Sequence, residues 1–349
     1  MSYGESMNGT QDLSNHMPES LLDITSQLMV TGYLMVLGFI ILWKYWERNQ
    51  TVTPQSKVVL VTGADTGFGH LLCLRLSQMG FKVFAGCLNA SEAKFEDFNI
   101  EIVQMDVTND SQVQEAFDKV NGWLSGNPDF KFHALVNNAG IIFPIAPLEL
   151  CSMASFERLF NVNLFGTVRN CRKFLPLLRR DQGRIVNVAS LAGELACPML
   201  SAYCASKWAL LGLSDALRYE LAPFGVPVST ILPDLYKTEL VTDKQRLYQA
   251  LEREAQGMPF DTLTDYNQQG VGLETMKLFI ETMQFMANSN LEPVLTSMVN
   301  AVIETEPKYR YYPICFLSSI TLKLKSIFPW FLDRMVTVVT RQAAKTKQI

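Results

Sequence analysis

Histidine is scarce in this chain: three occur in 349 residues, at His16, His70 and His133, far apart from one another. With so few imidazoles, a catalytic metal centre has little to draw on, and no metal is expected. The seven cysteines (73, 87, 151, 171, 197, 204 and 315) are odd in number and never spaced C-x-x-C. That excludes a zinc ribbon and argues against a disulfide framework, so the thiols are expected to stay reduced and to pack as small apolar groups. An excess of basic residues is also missing: 30 Lys and Arg face 34 Asp and Glu, a net charge of -4. Nucleic acid is therefore not an expected partner. No repeat of solenoid period and no low-complexity tract occurs. Lys and Arg are absent ahead of Lys44, while Glu5, Asp12, Glu19 and Asp23 are present. A secretory leader with a basic start and an Arg-rich mitochondrial transit peptide are both disfavoured on that ground.

What the chain does have is an apolar fraction of 48%, enough for a large core. From Ile24 to Trp43, "ITSQLMVTGYLMVLGFIILW" carries no charge. About 20 such residues cross a hydrocarbon core as a helix, and this segment is read as a transmembrane anchor. Trp43, Tyr45 and Trp46 beside Lys44 and Arg48 resemble an interfacial belt. The expected division is a polar, disordered N-terminus (1–23), the anchor (24–43), a linker (44–56), one catalytic domain (57–310) and an apolar, basic C-terminal segment (311–349). By the positive-inside rule the short N-terminus lies in the lumen and the chain from Lys44 onward in the cytosol.

Past the linker, "KVVLVTGADTGFGHLLCLRLSQMGFKVFAGCLN" reads as strand, glycine turn, helix and strand. Further strands are expected at 100–105, 133–138, 184–190 and 226–232, with helices at 110–124, 153–179 and 202–223. Such alternation predicts a doubly wound α/β domain, a Rossmann-like parallel sheet covered on both faces. Residues 235–305 read as mainly helical. The tail after Tyr311 suits an interfacial helix as well as a substrate-side cap.

Glycines at the end of a first strand let the backbone approach a pyrophosphate at a helix N-terminus. Here the turn is Thr62-Gly63-Ala64-Asp65-Thr66-Gly67-Phe68-Gly69, spaced G-x-x-x-G-x-G. Tyr203 and Lys207 in "SAYCASKWAL" share one face if the stretch is helical, which by itself does not distinguish a catalytic pair from chance. "NNAG" (137–140) follows a strand, "NVN" (161–163) falls in the long expected helix, and Ser190 closes "RIVNVAS".

Together and in this order, these stretches resemble the short-chain dehydrogenase/reductase superfamily over roughly residues 57–240. The resemblance implies an NAD(P)-dependent oxidoreductase acting on CH–OH groups. Tyr203 would be the general acid/base, Lys207 would lower its pKa, Ser190 would orient the reacting oxygen, and Asn163 would hold a water linking Lys207 to solvent. Gly63, Asp65, Thr66, Gly67, Phe68, Gly69, Asp106, Asn138, Ala139, Gly140, Pro233 and Thr238 would join Tyr203 and Lys207 around the cofactor. Asp106 has the alternative of serving only as a helix N-cap. NAD is expected over NADP, because no basic residue follows the second strand before Lys94 and Asp65 repels an added phosphate. The acid that many NAD users carry where Cys87 stands is missing.

"FAGCLN", "FLPLLRRDQGRIVNVASLAGE" and "YRYYP" are similar to the membrane-anchored branch that includes retinol dehydrogenases and 17β-hydroxysteroid dehydrogenases of type 2. The likeness implies a lipophilic small-molecule substrate, a steroid or sterol ahead of a retinoid, an endoplasmic reticulum membrane location, and allows a homodimer. A 3-hydroxybutyrate dehydrogenase and a cofactor-binding protein without turnover are the remaining alternatives. One departure stands out: Asp234 follows Pro233 where the family usually has glycine, which predicts an altered loop over the nicotinamide.

Overall fold

The structure, a computed structural model, describes residues 19–48, 50–97, 99–330 and 333–338, with side chains described only for 27–43 in the first of these ranges. Two compact units divide it, Met1–Gln50 and Thr51–Ile349. In the first, α1 (Glu19–Arg48) is one continuous helix. It begins five residues before the expected anchor, inside the stretch expected to be disordered; residues 1–18, including Asn8, lie outside the described residues. Leu28, Met29, Tyr33, Phe39 and Leu42 are exposed. Among the described residues no helix is long and apolar enough to cross a membrane.

The second unit carries a single sheet of seven parallel strands in the order β3-β2-β1-β4-β5-β6-β7. They are β1 (Lys57–Thr62), β2 (Lys82–Cys87), β3 (Ile100–Gln104), β4 (Lys131–Asn137), β5 (Arg184–Val188), β6 (Val228–Ile231) and β7 (Arg310–Tyr311). The first six fall where the apolar runs predict them. β7 was not expected; it is two residues long, too short to leave a periodic signal. The segment read as a linker is engaged: Val52 N–H donates to the Ile303 carbonyl at 2.7 Å, and Thr51 bridges to Glu304.

Helices cover both faces because β1, β4 and β5 are apolar on both sides. On one face lie α2 (Gly67–Gln78) and, from the far end of the chain, α11 (Glu292–Ile303). Leu72 and Leu76 meet Val294, Met298 and Val302 there. The other face holds α3 (Asp110–Gly126), α5 (Thr167–Asp181) and α6 (Ser201–Leu221), with Val120, Phe174, Leu178 and Leu217 in its core. Each of these large side chains contributes about 1.5–3 kcal/mol by leaving water.

The long helix expected over 153–179 is interrupted. α4 (Met153–Phe160) passes into a π-helical turn at Asn161–Gly166 before α5 begins. Gly166 sits so close to Val107 that a Cβ would lie 2.7 Å from its side chain. Such widened turns often occur at functional sites, and this one holds Asn163. Further α-helices are α7 (Glu239–Thr242), α8 (Lys244–Gln256), α9 (Phe260–Gln268), α10 (Leu273–Met286) and α12 (Phe316–Ile327).

Candidate active site

Strand order reverses about β1, with β2 on one side and β4 on the other. A crevice opens at the carboxyl ends of the strands at such a point, and that is where ligands bind in this architecture. Here the crevice is a cavity of about 1070 Å³ bordered by Gly63, Asp106, Ser190, Tyr203, Lys207 and Thr238, among others. The topology thus brings the glycine turn, parts of "NNAG" and "NVN", Ser190 and the Tyr203–Lys207 pair to one place.

The glycine turn has the shape a dinucleotide needs. Gly63 and Gly67 have φ of +62° and +60°, which L side chains rarely adopt. A Cβ on Gly69 would lie 2.3 Å from the Gly63 carbonyl oxygen, and one on Gly63 would lie 2.7 Å from Ala139 Cα. Thr66 precedes α2 without a side-chain cap, and no acidic residue occupies the first turn. The N-terminal N–H groups of α2 are left facing the cradle, with the positive end of the helix dipole behind them. This fits a pyrophosphate.

Asn138 holds the turn in shape. Its side-chain NH₂ donates to the Thr62 and Gly63 carbonyls at 3.0 and 2.9 Å, while the Thr62 hydroxyl accepts from the N–H groups of Asn138 and Ala139. Its position fits support of the cofactor turn through the backbone. Asp65 reaches across to the end of β2, where its carboxylate accepts from Leu88 N–H at 3.0 Å and Asn89 N–H at 2.8 Å. Burial, and after it the nearby Asp65 charge, raise the Cys87 thiol to about 12. A carboxylate is thus present at the β2 end after all, supplied by β1's own turn. Sequence position gave no signal for that, since Asp65 and Cys87 are brought together only by strand pairing.

Asp106 is not a helix N-cap: Asn109 caps α3, accepting from Ser111 and Gln112 N–H. The Asp106 carboxylate accepts from the Thr108 N–H and hydroxyl, both at 2.8 Å, on the cavity wall beside Met105 and Val107.

At the reacting end, Tyr203 and Lys207 lie one turn apart on α6, both nearly buried. The Lys207 ammonium is 5.8 Å from the Tyr203 ring centroid and donates to the Val188 carbonyl at 3.0 Å. Burial lowers Lys207 to about 8. Burial also raises the Tyr203 phenol to about 12, against a smaller lowering by the Ser190 hydroxyl and with a further rise from the Cys204 thiol. Desolvation therefore dominates the phenol in the chain by itself. The Ser190 hydroxyl also accepts from Ala192 N–H at 3.1 Å. Asn163 exchanges both of its amide groups with the backbone of Ile141, at 2.8 and 2.9 Å, and donates to the Ser206 hydroxyl. A Cβ on Gly140 would lie 3.4 Å from Asn163 Oδ1 and 3.6 Å from Lys207 Nζ, so Gly140 separates these two polar ends.

Asp234 does not distort its loop. It is absent from the residues with positive φ, so no left-handed strain arises at this non-glycine position. Its carboxylate accepts from the Ser318 hydroxyl on α12 and from Leu235 N–H, and its own N–H donates to the Pro313 carbonyl. Nearby, Tyr236 packs edge-on against Phe68 and donates to the Pro313 carbonyl. Thr238 lies against Gly67. Tail residues that follow β7 thus brace the 233–238 loop that borders the cavity. The wall beyond is apolar, with Leu195, Leu200, Leu235, Phe279 and Met283.

Among the described residues no group of three His, Cys, Asp or Glu side chains could hold a metal ion. His133 is instead a core residue: burial pushes it down to about 3, and its Nε2 pairs with the Val302 carbonyl. All seven cysteines are free.

Comparison with known proteins agrees with this geometry. The family model described as short chain dehydrogenase matches residues 57–249. Mouse estradiol 17-beta-dehydrogenase 2 is 37% identical over 282 residues, covering 79% of this chain and 72% of that protein. Mouse mitochondrial D-beta-hydroxybutyrate dehydrogenase is 31% identical over 290 residues, covering 80% and 83%. Among solved structures, a short chain dehydrogenase/reductase from Burkholderia phymatum in complex with NAD superposes with a TM-score of 0.64 at 23% identity, covering 79% of this chain and 94% of that one.

Proposed function

This chain belongs to the short-chain dehydrogenase family and is an NAD(P)-dependent oxidoreductase of CH–OH groups, and from that premise we propose that its substrate is a lipophilic alcohol of steroid class. The observation that carries the reading is the apolar wall of Leu200, Leu235, Phe279 and Met283 around a nearly buried Tyr203. A polar metabolite would leave the half-buried Leu235 and Phe279 of that wall facing water; a steroid covers them, at about 25 cal/mol per Å² of apolar surface. Likeness to an estradiol dehydrogenase supports the same class.

In the proposed chemistry the substrate oxygen lies between the Tyr203 and Ser190 hydroxyls. Ser190 donates to it and fixes its direction. Tyr203, as phenolate, takes the hydroxyl proton, and as phenol returns it in the reverse reaction. Lys207, an ammonium in a dry site, stabilises the phenolate. Asn163 holds the π-helical turn beside Lys207 and sets the path by which a proton leaves. When bound, the nicotinamide supplies the acceptor for the hydride that leaves the substrate carbon. Gly63, Gly67, Gly69 and the first turn of α2 would hold its pyrophosphate, and Asp65 and Asp106 its adenosine half.

We place the enzyme at the endoplasmic reticulum membrane, with the apolar stretch 24–43 as anchor and the catalytic unit in the cytosol. The charge contrast across that stretch supports the orientation. The test of the substrate class is direct: purified protein is offered NAD with a panel of hydroxysteroids, retinol and 3-hydroxybutyrate. Steroid turnover with a KM in the micromolar range or below supports the reading; turnover of 3-hydroxybutyrate alone overturns it.

A further inference from the structure

Two guanidinium groups converge on one phenyl ring, that of Phe143, which follows the cavity-lining Ile142 in sequence. Arg158 comes from α4 and Arg246 from α8, and their Cζ atoms stand 5.4 and 5.1 Å from the centroid of the Phe143 ring. Both side chains border the same cavity as Tyr203. Among the described residues, neither forms an ion pair, although Glu157 neighbours one in sequence and Asp243 caps the helix that bears the other. Glu239 also borders the cavity and pairs with neither. Asp234 is engaged with Ser318.

Bringing two like charges to one ring is unfavourable unless something offsets it. The ring offers part of the offset, about 0.5–1 kcal/mol for each cation at an exposed site. It also restricts two side chains that would otherwise lose about 2 kcal/mol of rotamer freedom each on binding a ligand. Guanidinium planes held this way are ready to accept an oxyanion with paired N–H donors.

We propose that Arg158 and Arg246 form a subsite for an anionic group, a sulfate or carboxylate, carried by the lipophilic substrate apart from its reacting hydroxyl. The inference rests on the reading of this cavity as the site of a lipophilic alcohol, and it narrows that class to amphiphiles bearing negative charge. Arginine at both positions, with no lysine, matches planar oxyanions such as these.

The experiment uses the full chain with NAD and matched pairs: estradiol against its 3-sulfate, and a long-chain 3-hydroxy acid against its methyl ester. The anionic member of one pair should have the higher kcat/KM, and the pair that responds tells sulfate from carboxylate. In Arg158→Gln/Arg246→Gln the anionic-to-neutral ratio should fall about tenfold or more, through KM, and rising salt should erode the wild-type preference. Arg158→Lys should recover only part of it. Equal ratios in wild type and variant overturn the proposal, as does a rise in the KM for NAD that accounts for the whole loss. Equilibrium binding of the four compounds to the NAD-bound protein keeps the two readings separate. Anion-selective binding that the double variant abolishes supports the subsite even if no steroid is turned over. Turnover of estradiol without any anion preference supports the steroid reading and sinks the subsite.

Discussion

The Lys207 ammonium stands 5.8 Å from the centroid of the Tyr203 ring, one helical turn away, and both groups are almost wholly removed from water. Burial moves them in opposite senses, the lysine down to about 8 and the phenol up to about 12. Burial thus disfavours the charged form of each, and a further positive group in the site would favour the phenolate. Tyr203→Phe should lower kcat by about 10²–10⁴ while the NAD dissociation constant stays within a few fold. Activity above about a hundredth of wild type would remove Tyr203 from its role. Lys207→Ala should weaken both turnover and NAD binding.

Lys207 also makes a stability prediction. Its pKa falls from the ordinary 10.5 to about 8 on folding. Between those values the unfolded chain binds more protons, so this group's contribution rises with pH across the window, and its full penalty remains below about 8. Lys207→Met should be more stable than wild type at pH 7, by a few kcal/mol at most, and the difference should shrink toward pH 10. Urea unfolding of both proteins from pH 7 to 9.5 measures it; a constant difference refutes the burial argument.

Asp65 at the end of β2 predicts the cofactor. Its carboxylate stands at the end of β2 and would repel a 2′-phosphate held there, and among the described residues the cavity's basic side chains are those of Arg158, Lys207 and Arg246. NAD should exceed NADP in kcat/KM by about tenfold or more, since opposed like charges cost several kcal/mol. Asp65→Ser should narrow that ratio. A preference for NADP in the wild-type enzyme would falsify this assignment.

The Asp234–Ser318 bond should couple α12 to the loop over the nicotinamide. Ser318→Ala and Asp234→Gly should each lower stability, and their combination should cost less than the sum by about 1 kcal/mol. Additivity in urea unfolding would show the two residues to be independent.

Orientation at the membrane can be read from the chain's own glycosylation sequons. Asn89 and Asn109 are exposed in the catalytic unit, while Asn8 lies ahead of the apolar stretch. With the catalytic unit in the cytosol, only Asn8 can carry glycan. Glycan on Asn89 or Asn109 after expression with microsomes reverses the orientation.

The periodicity of the chain determined the strand–helix alternation, because β1, β4 and β5 must be apolar on both faces of a covered parallel sheet. It also located the glycine turn, where positive φ and close approach tolerate no side chain. Of the residues the sequence singled out, Gly63, Asp65–Phe68, Asp106, Asn138–Gly140, Ser190, Tyr203, Lys207, Pro233 and Thr238 border one cavity, while Gly69 and Asn163 stand behind its lining. What tertiary structure decided was every relation made by strand pairing or by helices distant in sequence. Asp65 meets the β2 end only because β1 and β2 pair in parallel. Asp234 escapes strain because residues some 80 positions later bind it. The turn at Asn161–Gly166 packs its Gly166 against Val107, a contact that no local periodicity encodes. Local pattern reports what one segment can bury; it carries no information about which distant carboxylate, hydroxyl or guanidinium will face it.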